Sequence, residues 1–352
     1  MVSPETLVRS HLKEIKAYSS ARDEYEGDTG IFLDANENAL GSVTDTQVNR
    51  YPDPHHRLLK KAWSEIRQVP SESIFFGNGS DEPIDLLIRL FCNPGKDHII
   101  TMPPTYGMYE VSAAINNIEN KRVPLTESFQ IDLKSVLDQI NAFSKMIFIC
   151  SPNNPTGNLL NKKDVKTLLD QFPGIVVIDE AYFDFSSENS WVKDLPNYRN
   201  LVVLQTLSKA WGMAGIRVGS AMADPYIISM LEKIKPPYNL SLPNQQLAFE
   251  AMNNVKKKDE EVKRLLSERE RVERELKHMS KVKGIFQSDA NFLLVRFEEA
   301  KQVFDFLIEQ KVIVRDRSSQ INCSNCLRIT IGTEEENDRL LELINDFYKK
   351  ND

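Results

Sequence analysis

A basic excess is missing from this chain. Its 44 lysines and arginines stand against 51 aspartates and glutamates, a formal net charge of −7. That balance argues against nucleic acid as the main partner. Long apolar runs are missing too, and no stretch approaches the ~20 residues a membrane-spanning helix needs. The beginning, Met-Val-Ser-Pro-Glu, lacks the basic and apolar parts of a secretory signal. A cytoplasmic protein is the expectation. Cysteine is scarce, with four residues: Cys92, Cys150, Cys323 and Cys326. The first two lie in apolar runs and read as reduced core residues. Cys323-Ser-Asn-Cys326 is a solitary C-x-x-C with no second pair and no cluster of histidines, which argues against a zinc site. The five histidines are scattered, and His55-His56 reads as a solvated pair. There is no internal repeat and no low-complexity segment, and no metal is expected.

What is present is ordinary for a soluble globular enzyme: 41% hydrophobic and 27% charged residues. A length of 352 residues allows one large domain and a smaller one. The expected division is an arm over 1–30, a large α/β domain over 31–240 and a small α+β domain over 241–352. A short helix is expected from Glu5 to Ile15, a short strand running into a polar turn over Ile31–Asn38, and an amphipathic helix from Leu58 to Ile66. Strands are expected at His98–Thr101, Met146–Cys150, from Ile175, at Leu201–Leu204 and at Val218–Met222. Most are separated by stretches long enough for helices, the pattern of a mostly parallel sheet covered on both faces. Beyond Pro236-Pro237 a long charged helix is expected over Lys256–Met279. Strands at Phe292–Phe297, Val312–Arg315 and Leu327–Ile331, with two more helices, complete the chain.

The stretch Thr206-Leu-Ser-Lys-Ala-Trp-Gly-Met-Ala-Gly-Ile-Arg-Val-Gly219 carries the chemistry. An apolar strand leads into two hydroxyls, Thr206 and Ser208, and one lysine, Lys209. A lysine just past a buried strand can be desolvated, which disfavours the ammonium and leaves a nucleophilic amine nearer neutral pH. The hydroxyls and Arg217 are anion donors. Together they fit a Schiff base to a phosphorylated aldehyde. Phe75-Phe-Gly-Asn-Gly-Ser-Asp-Glu-Pro83 supplies a second anion site: Gly79 in a tight turn, Ser80 as N-cap, then Asp81 opening a helix whose N–H groups point outward. In parallel sheets ligands bind at the carboxyl ends of strands. Tyr106, Asn154, Asp179, Tyr182 and Lys209 all fall just past such ends.

Asn153-Asn-Pro-Thr-Gly157, Asp179-Glu-Ala-Tyr182, Ser208-Lys209 with Arg217, and Leu327-Arg-Ile-Thr-Ile-Gly332 resemble the fold-type-I, pyridoxal-phosphate-dependent aminotransferases in order and spacing, over roughly residues 30–335. Within that group the chain is most similar to the histidinol-phosphate aminotransferase branch. Tyr18-Ser-Ser-Ala-Arg-Asp-Glu, Leu33-Asp-Ala-Asn-Glu-Asn38, Arg50-Tyr-Pro-Asp53, Pro103-Pro-Thr-Tyr-Gly-Met-Tyr109 and Val314-Arg-Asp316 carry that likeness. The resemblance implies pyridoxal 5′-phosphate as cofactor and transfer of an amino group between L-histidinol phosphate and 2-oxoglutarate, giving imidazole-acetol phosphate and glutamate, in histidine biosynthesis. Another amino-acid aminotransferase, aromatic or otherwise, or a phosphothreonine-type decarboxylase on the same scaffold is the alternative.

The resemblance also implies roles. Lys209 attaches the cofactor aldehyde and moves the proton, and Asp179 pairs with the pyridine nitrogen. Tyr182 and Asn154 donate to the ring oxygen, and Tyr106 stacks on the ring. Gly79, Ser80, Asp81, Thr206, Ser208 and Arg217 hold the phosphate. Tyr51 reaches the phosphate of a neighbouring subunit, which implies a homodimer. Arg328 binds the substrate's anionic arm, with Arg315, Tyr18 and Asn36 completing the substrate's phosphate pocket. Arg315 and Arg317 read equally well as solvated charges at a strand end.

Overall fold

A computed structural model describes residues 3–18 and 30–351. The motif residues Ser19 to Glu24 lie outside them. Among the described residues there are eleven strands: β1 Ile74–Asn78, β2 His98–Thr101, β3 Glu119–Arg122, β4 Ser144–Cys150, β5 Ile175–Asp179, β6 Leu201–Thr206, β7 Val218–Ala223, β8 Val282–Ile285, β9 Phe292–Phe297, β10 Arg315–Asp316 and β11 Cys326–Thr330. The first seven form one sheet in the order β1-β7-β6-β5-β4-β2-β3. Strands β2 to β6 run parallel, while β7 runs antiparallel to both β6 and β1. The fold is α/β with a mostly parallel central sheet, as the strand–helix alternation predicts.

Two-sided burial explains the composition of the central strands. Successive side chains point to opposite faces. Ile147, Ile149, Val176, Ile178, Leu201 and Val203 enter one core, and Met146, Phe148, Ile175, Val177, Val202 and Leu204 enter another. A strand buried on both faces has to be apolar at every position. The second core is closed by helices Asp81–Phe91, Met108–Ile115 and Pro225–Ile234, and the first by Arg57–Arg67, Lys162–Gln171 and Leu242–Met252. Strands β8 to β11 form a smaller antiparallel sheet in the order β10-β11-β9-β8. Leu293, Val295, Leu327 and Ile329 face a third core, with the long helix Val255–Lys277 and the final helix Glu334–Asn351. Phe292, Leu294 and Cys326 face the first core. By the same alternation Arg328, opposite Leu294, lies on the face turned toward the large sheet.

Several expectations need correction. The helix expected over Glu5–Ile15 is two short helices, Pro4–Leu7 and Ser10–Glu14, because the chain extends at Val8 and the Arg9 N–H donates to the Leu90 carbonyl at 3.1 Å. Ile31–Asp34 forms no strand among the described residues, and Ile31 and Leu33 stay 92% and 83% exposed. Val312–Arg315 contributes only the two-residue β10, starting at Arg315. Strands β1, β3 and β8 and the helix Leu242–Met252 have no counterpart among the sequence expectations. All four cysteines are free and buried.

The solvated histidine pair is also half wrong. His56 is 1% exposed, edge-on to Phe76 at 6.4 Å, with neither ring nitrogen hydrogen-bonded. Burial, reinforced by the nearby Lys235 and Lys60 ammoniums, pushes its pKa down to about 3 from an ordinary 6.5. Between those values the unfolded chain holds a proton that the folded chain refuses. Stability therefore falls as pH drops through that window, by up to about 1.4 kcal/mol per pH unit, and the loss ends near the folded-state value. We expect His56→Leu to remove this contribution, so that urea titrations between pH 6 and 4 show a shallower loss. An unchanged slope would refute the assignment.

Candidate active site

The carboxyl ends of β2, β4, β5 and β6 open into a cleft of about 510 Å3, bounded on the far side by residues of β10, β11 and the loop between them. Lining it are Ser80, Asp81, Tyr106, Asn154, Asp179, Tyr182, Thr206, Ser208, Lys209, Arg217, Arg315 and Arg328. Twelve of the sixteen residues singled out from sequence therefore share one space. Gly79 adjoins it, donating its N–H to the Arg217 carbonyl at 2.7 Å. Tyr51 and Asn36 lie elsewhere, in a hollow with Tyr238, where Tyr51 stacks on Tyr238 at 4.4 Å. Tyr18 lines neither and is 73% exposed.

At the floor, Asp179 ends β5 with 2% exposure. Its Oδ2 accepts from the Tyr109 hydroxyl at 2.7 Å and its Oδ1 from the Ala181 N–H at 3.0 Å. Tyr109 is itself buried and stacked on Phe148 at 4.7 Å. Burial raises the Asp179 carboxyl above the usual range, and the Tyr109 hydroxyl and Ala181 N–H partly oppose that. Among the described residues the carboxylate has no ion-pair partner within 4.0 Å. A buried acid in this condition is costly until a cation meets it. Sequence reasoning missed Tyr109 as the partner of Asp179. A tyrosine three residues beyond Tyr106 was the available signal.

Lys209 sits in the turn after β6, its ammonium 5.7 Å from the centre of the Tyr182 ring. The side chain opens into the cleft, yet protein surrounds it enough for desolvation to lower its pKa. Arg328 and Arg217 lower it further, and the carboxylates of Asp179 and Asp81 oppose them. The consequence is a larger share of free amine at a given pH than an exposed lysine offers.

The other end of the cleft gathers groups that can donate to an anion. The Thr206 hydroxyl donates to Ser208 Oγ at 3.0 Å, and Arg217 Nη1 donates to the same Oγ at 3.2 Å. Arg217 Nη2 meets Asp81 Oδ2 at 3.5 Å, and the Tyr106 hydroxyl donates to Asp81 Oδ1 at 2.9 Å. Ser80 takes the N-cap position but its backbone is helical and its hydroxyl makes no capping bond, so that group stays available to the cleft. Backbones approach closely here. A Cβ on Gly219 would come within 2.4 Å of the Ser80 nitrogen, and one on Gly79, at φ +71°, within 2.5 Å of Arg217 Nη2. Only glycine lets β7, the Gly79 turn and the guanidinium coexist.

Arg328 joins the two sheets. Its Nη1 donates to Asn154 Oδ1, its guanidinium lies 5.3 Å from the Phe292 ring centre, and Asn154 Nδ2 lies 3.4 Å from the Tyr182 hydroxyl. Burial raises the Tyr182 hydroxyl, the nearby Cys150 and Asp179 raise it further, and Arg328 lowers it.

The site thus offers an amine, a buried carboxylate in want of a cation, a helix N-terminus with hydroxyls and a guanidinium, and aromatic walls. These suit a phosphorylated aldehyde carrying a basic ring nitrogen.

The family comparisons agree. The model for aminotransferase class I and II matches residues 23–344. A histidinol-phosphate aminotransferase of Cytophaga hutchinsonii is 54% identical over 342 residues, covering 97% of this chain and 98% of that relative. The crystal structure of the histidinol-phosphate aminotransferase from Clostridium acetobutylicum superposes with a TM-score of 0.80 at 26% identity, over 86% of this chain and 92% of that one. The histidinol-phosphate aminotransferase from Sinorhizobium meliloti in complex with pyridoxal-5′-phosphate shares the fold at 22% identity, with a TM-score of 0.78 over 89% and 90% of the two chains. The chain belongs to the class I and II aminotransferases.

Proposed function

We propose that the chain exchanges an amino group between L-histidinol phosphate and 2-oxoglutarate, as a homodimer in the cytoplasm, with pyridoxal 5′-phosphate as cofactor. The observation that carries the cofactor is the buried Asp179 carboxylate without a cation, placed in one cleft with the Lys209 amine. Gly79, Ser80, Asp81, Thr206, Ser208 and Arg217 would hold the cofactor phosphate. Asp179 would hold its ring nitrogen, Tyr182 and Asn154 its ring hydroxyl, Tyr106 its ring face and Lys209 its aldehyde. When bound, the group supplies an electron sink for the carbon that loses a proton.

The chain's own residues do the rest. The Asp179 carboxylate would favour a positive charge on a ring nitrogen held beside it, since its two hydrogen bonds leave it without a cation. The Lys209 amine, its ammonium disfavoured, takes up the proton from the donor carbon. Arg328 holds the donor's anionic end with its planar fork, and Asn154 fixes its angle. Tyr106 and Tyr182 wall the cleft and limit water.

The dimer reading rests on surface chemistry. Ile31, Leu33, Leu40 and Val43 are 92%, 83%, 98% and 101% exposed, a run of bare apolar side chains in the segment that carries Asn36 and leads to Tyr51. A second copy would cover them and bring Tyr51, absent from its own cleft, to the neighbour's. The division into an arm over 1–30, a large domain over 31–240 and a small one over 241–352 belongs to the same proposal.

The expected result is formation of glutamate from 2-oxoglutarate with histidinol phosphate as donor, at a kcat/KM at least tenfold above that with phenylalanine, without release of carbon dioxide. Sedimentation should give a dimer. A higher kcat/KM with phenylalanine, or carbon dioxide release, would replace the substrate reading.

A further inference from the structure

Three arginines, Arg315, Arg317 and Arg328, converge at the end of the cleft away from Arg217, and the proposed function uses one of them, Arg328. Arg315 on β10 lies directly opposite Arg328 on β11 in the antiparallel ladder. Such neighbours share a face with Cβ atoms about 5 Å apart, where like charges repel. Arg317 follows Arg315 by two residues, so its side chain returns toward the same face. Its N–H donates to the Cys326 carbonyl at 2.9 Å, which carries the pairing one step past the end of β10. The intervening Asp316 spends its carboxylate on the Ser318 N–H at 2.8 Å. All three arginines line the cleft. The Nε atoms of Arg317 and Arg328 are buried without a hydrogen-bond partner.

No carboxylate among the described residues pairs with any of the three. The cleft's acids are committed elsewhere: Asp81 meets Arg217 and Tyr106, and Asp179 meets Tyr109. Burial and the charges of Arg328 and Arg315 together disfavour the Arg317 cation. A carboxylate, with one negative charge, needs one guanidinium fork. A phosphate monoester carries about −1.5 to −2 near pH 7 and offers three acceptor oxygens. Three unpaired guanidiniums on one face match the second charge, not the first.

We propose that Arg317 is a specificity-determining residue, adding the guanidinium that tunes this end of the cleft to a phosphate dianion over a carboxylate. The assignment deepens the proposed function and rests on it for the identity of the donor. Arg328 with Arg315 grips an anion of either kind, and Arg317 weights the grip toward the doubly charged one.

The experiment compares holoenzyme with Arg317→Gln and Arg317→Lys. Two readouts are taken: single-turnover half-reactions with histidinol phosphate and with glutamate, and inhibition by glycerol phosphate and by succinate. For Arg317→Gln the apparent Kd for histidinol phosphate should rise at least tenfold more than that for glutamate, and Ki for glycerol phosphate at least tenfold more than that for succinate. In the parent enzyme, glycerol phosphate should bind more weakly as pH falls below about 6, where the dianion is lost. Arg317→Gln should flatten that dependence, and Arg317→Lys, which keeps the charge, should restore most of it. Equal losses for phosphate and carboxylate ligands, or no loss for either, would overturn the proposal. So would a lysine variant indistinguishable from glutamine. A parent enzyme inert toward histidinol phosphate would sink the donor assignment, while the glycerol phosphate comparison would still decide Arg317.

Discussion

Replacing Lys209 by alanine should lower kcat by roughly 10^4-fold, the upper range for a single group that shuttles a proton. The purified variant should also lose the visible absorbance that comes from attaching the aldehyde to the amine. Two readouts separate the amine's chemistry from simple loss of structure. Small exogenous amines should restore part of the rate, because they supply a base to the vacated space. In the parent protein stripped of cofactor, the rate of aldehyde capture should rise with pH along the titration of Lys209, at lower pH than an exposed lysine shows. The direction follows from desolvation first and then the Arg328 charge. Arg328→Gln removes a neighbour that disfavours the ammonium, so the lysine's pKa should rise and the capture profile should move to higher pH. A shift to lower pH would contradict the electrostatic account of the cleft.

The second large effect belongs to Asp179→Asn. An amide cannot keep a proton on the ring nitrogen by charge, and we expect kcat/KM to fall by about 10^2- to 10^3-fold, the scale of removing one preorganised electrostatic partner. Cofactor attachment through Lys209 should persist. Stability should move the other way. Burial raises the folded-state pKa of Asp179, so the native protein binds more protons than the unfolded chain between the ordinary value and the raised one. Stability then falls as pH climbs through that window. Cofactor-free Asp179→Asn should escape this loss and melt at an equal or higher temperature than the parent at pH 7. Activity lost with stability kept or gained is the mark of a site strained for function. Tyr109→Phe tests the same carboxylate from its other side. Losing that hydroxyl raises the carboxyl further, so the activity deficit should widen as pH is lowered. Equal deficits at pH 6 and pH 8 would remove Tyr109 from the mechanism.

Much of this site was legible before any coordinates. Lys209, Asp179, Tyr182 and Asn154 sit at strand ends, and strand ends buried on both faces announce themselves by continuous apolar runs such as Ile175–Ile178. The turn at the cleft's edge was readable because Gly79, Ser80 and Asp81 combine backbone freedom with a helix start. The failures have physical causes. Strand β3, Glu119-Asn-Lys-Arg122, has no apolar residue, because an edge strand can face water and takes its order from pairing with β2. Strand β1 was hidden in a stretch that reads as a turn: Gly77 and Asn78 pair with Gly219 and Val218, and pairing of this kind leaves no local signature. Ile31–Asp34 failed in the opposite sense: it has strand composition, yet Ile31 and Leu33 stay exposed instead of entering a sheet. The tie between Tyr109 and Asp179 spans seventy residues, and no periodicity encodes it. Arg317 was visible as a charge near a strand end. Its meaning came only from the register that sets Arg315 opposite Arg328.

The backward run of β7 has one more consequence. With β6 arriving at the cleft and β7 departing from it, Ser208, Lys209 and Arg217 belong to one short loop rooted at both ends in the same sheet. Trp211, wedged against Trp63 at 5.7 Å, nails the middle of that loop to the helix Arg57–Arg67. Amine and anion receptor are therefore leashed to each other by ten peptide bonds or fewer. A shear between the two sheets can carry Arg328 toward or away from them, but it cannot pull the pair apart.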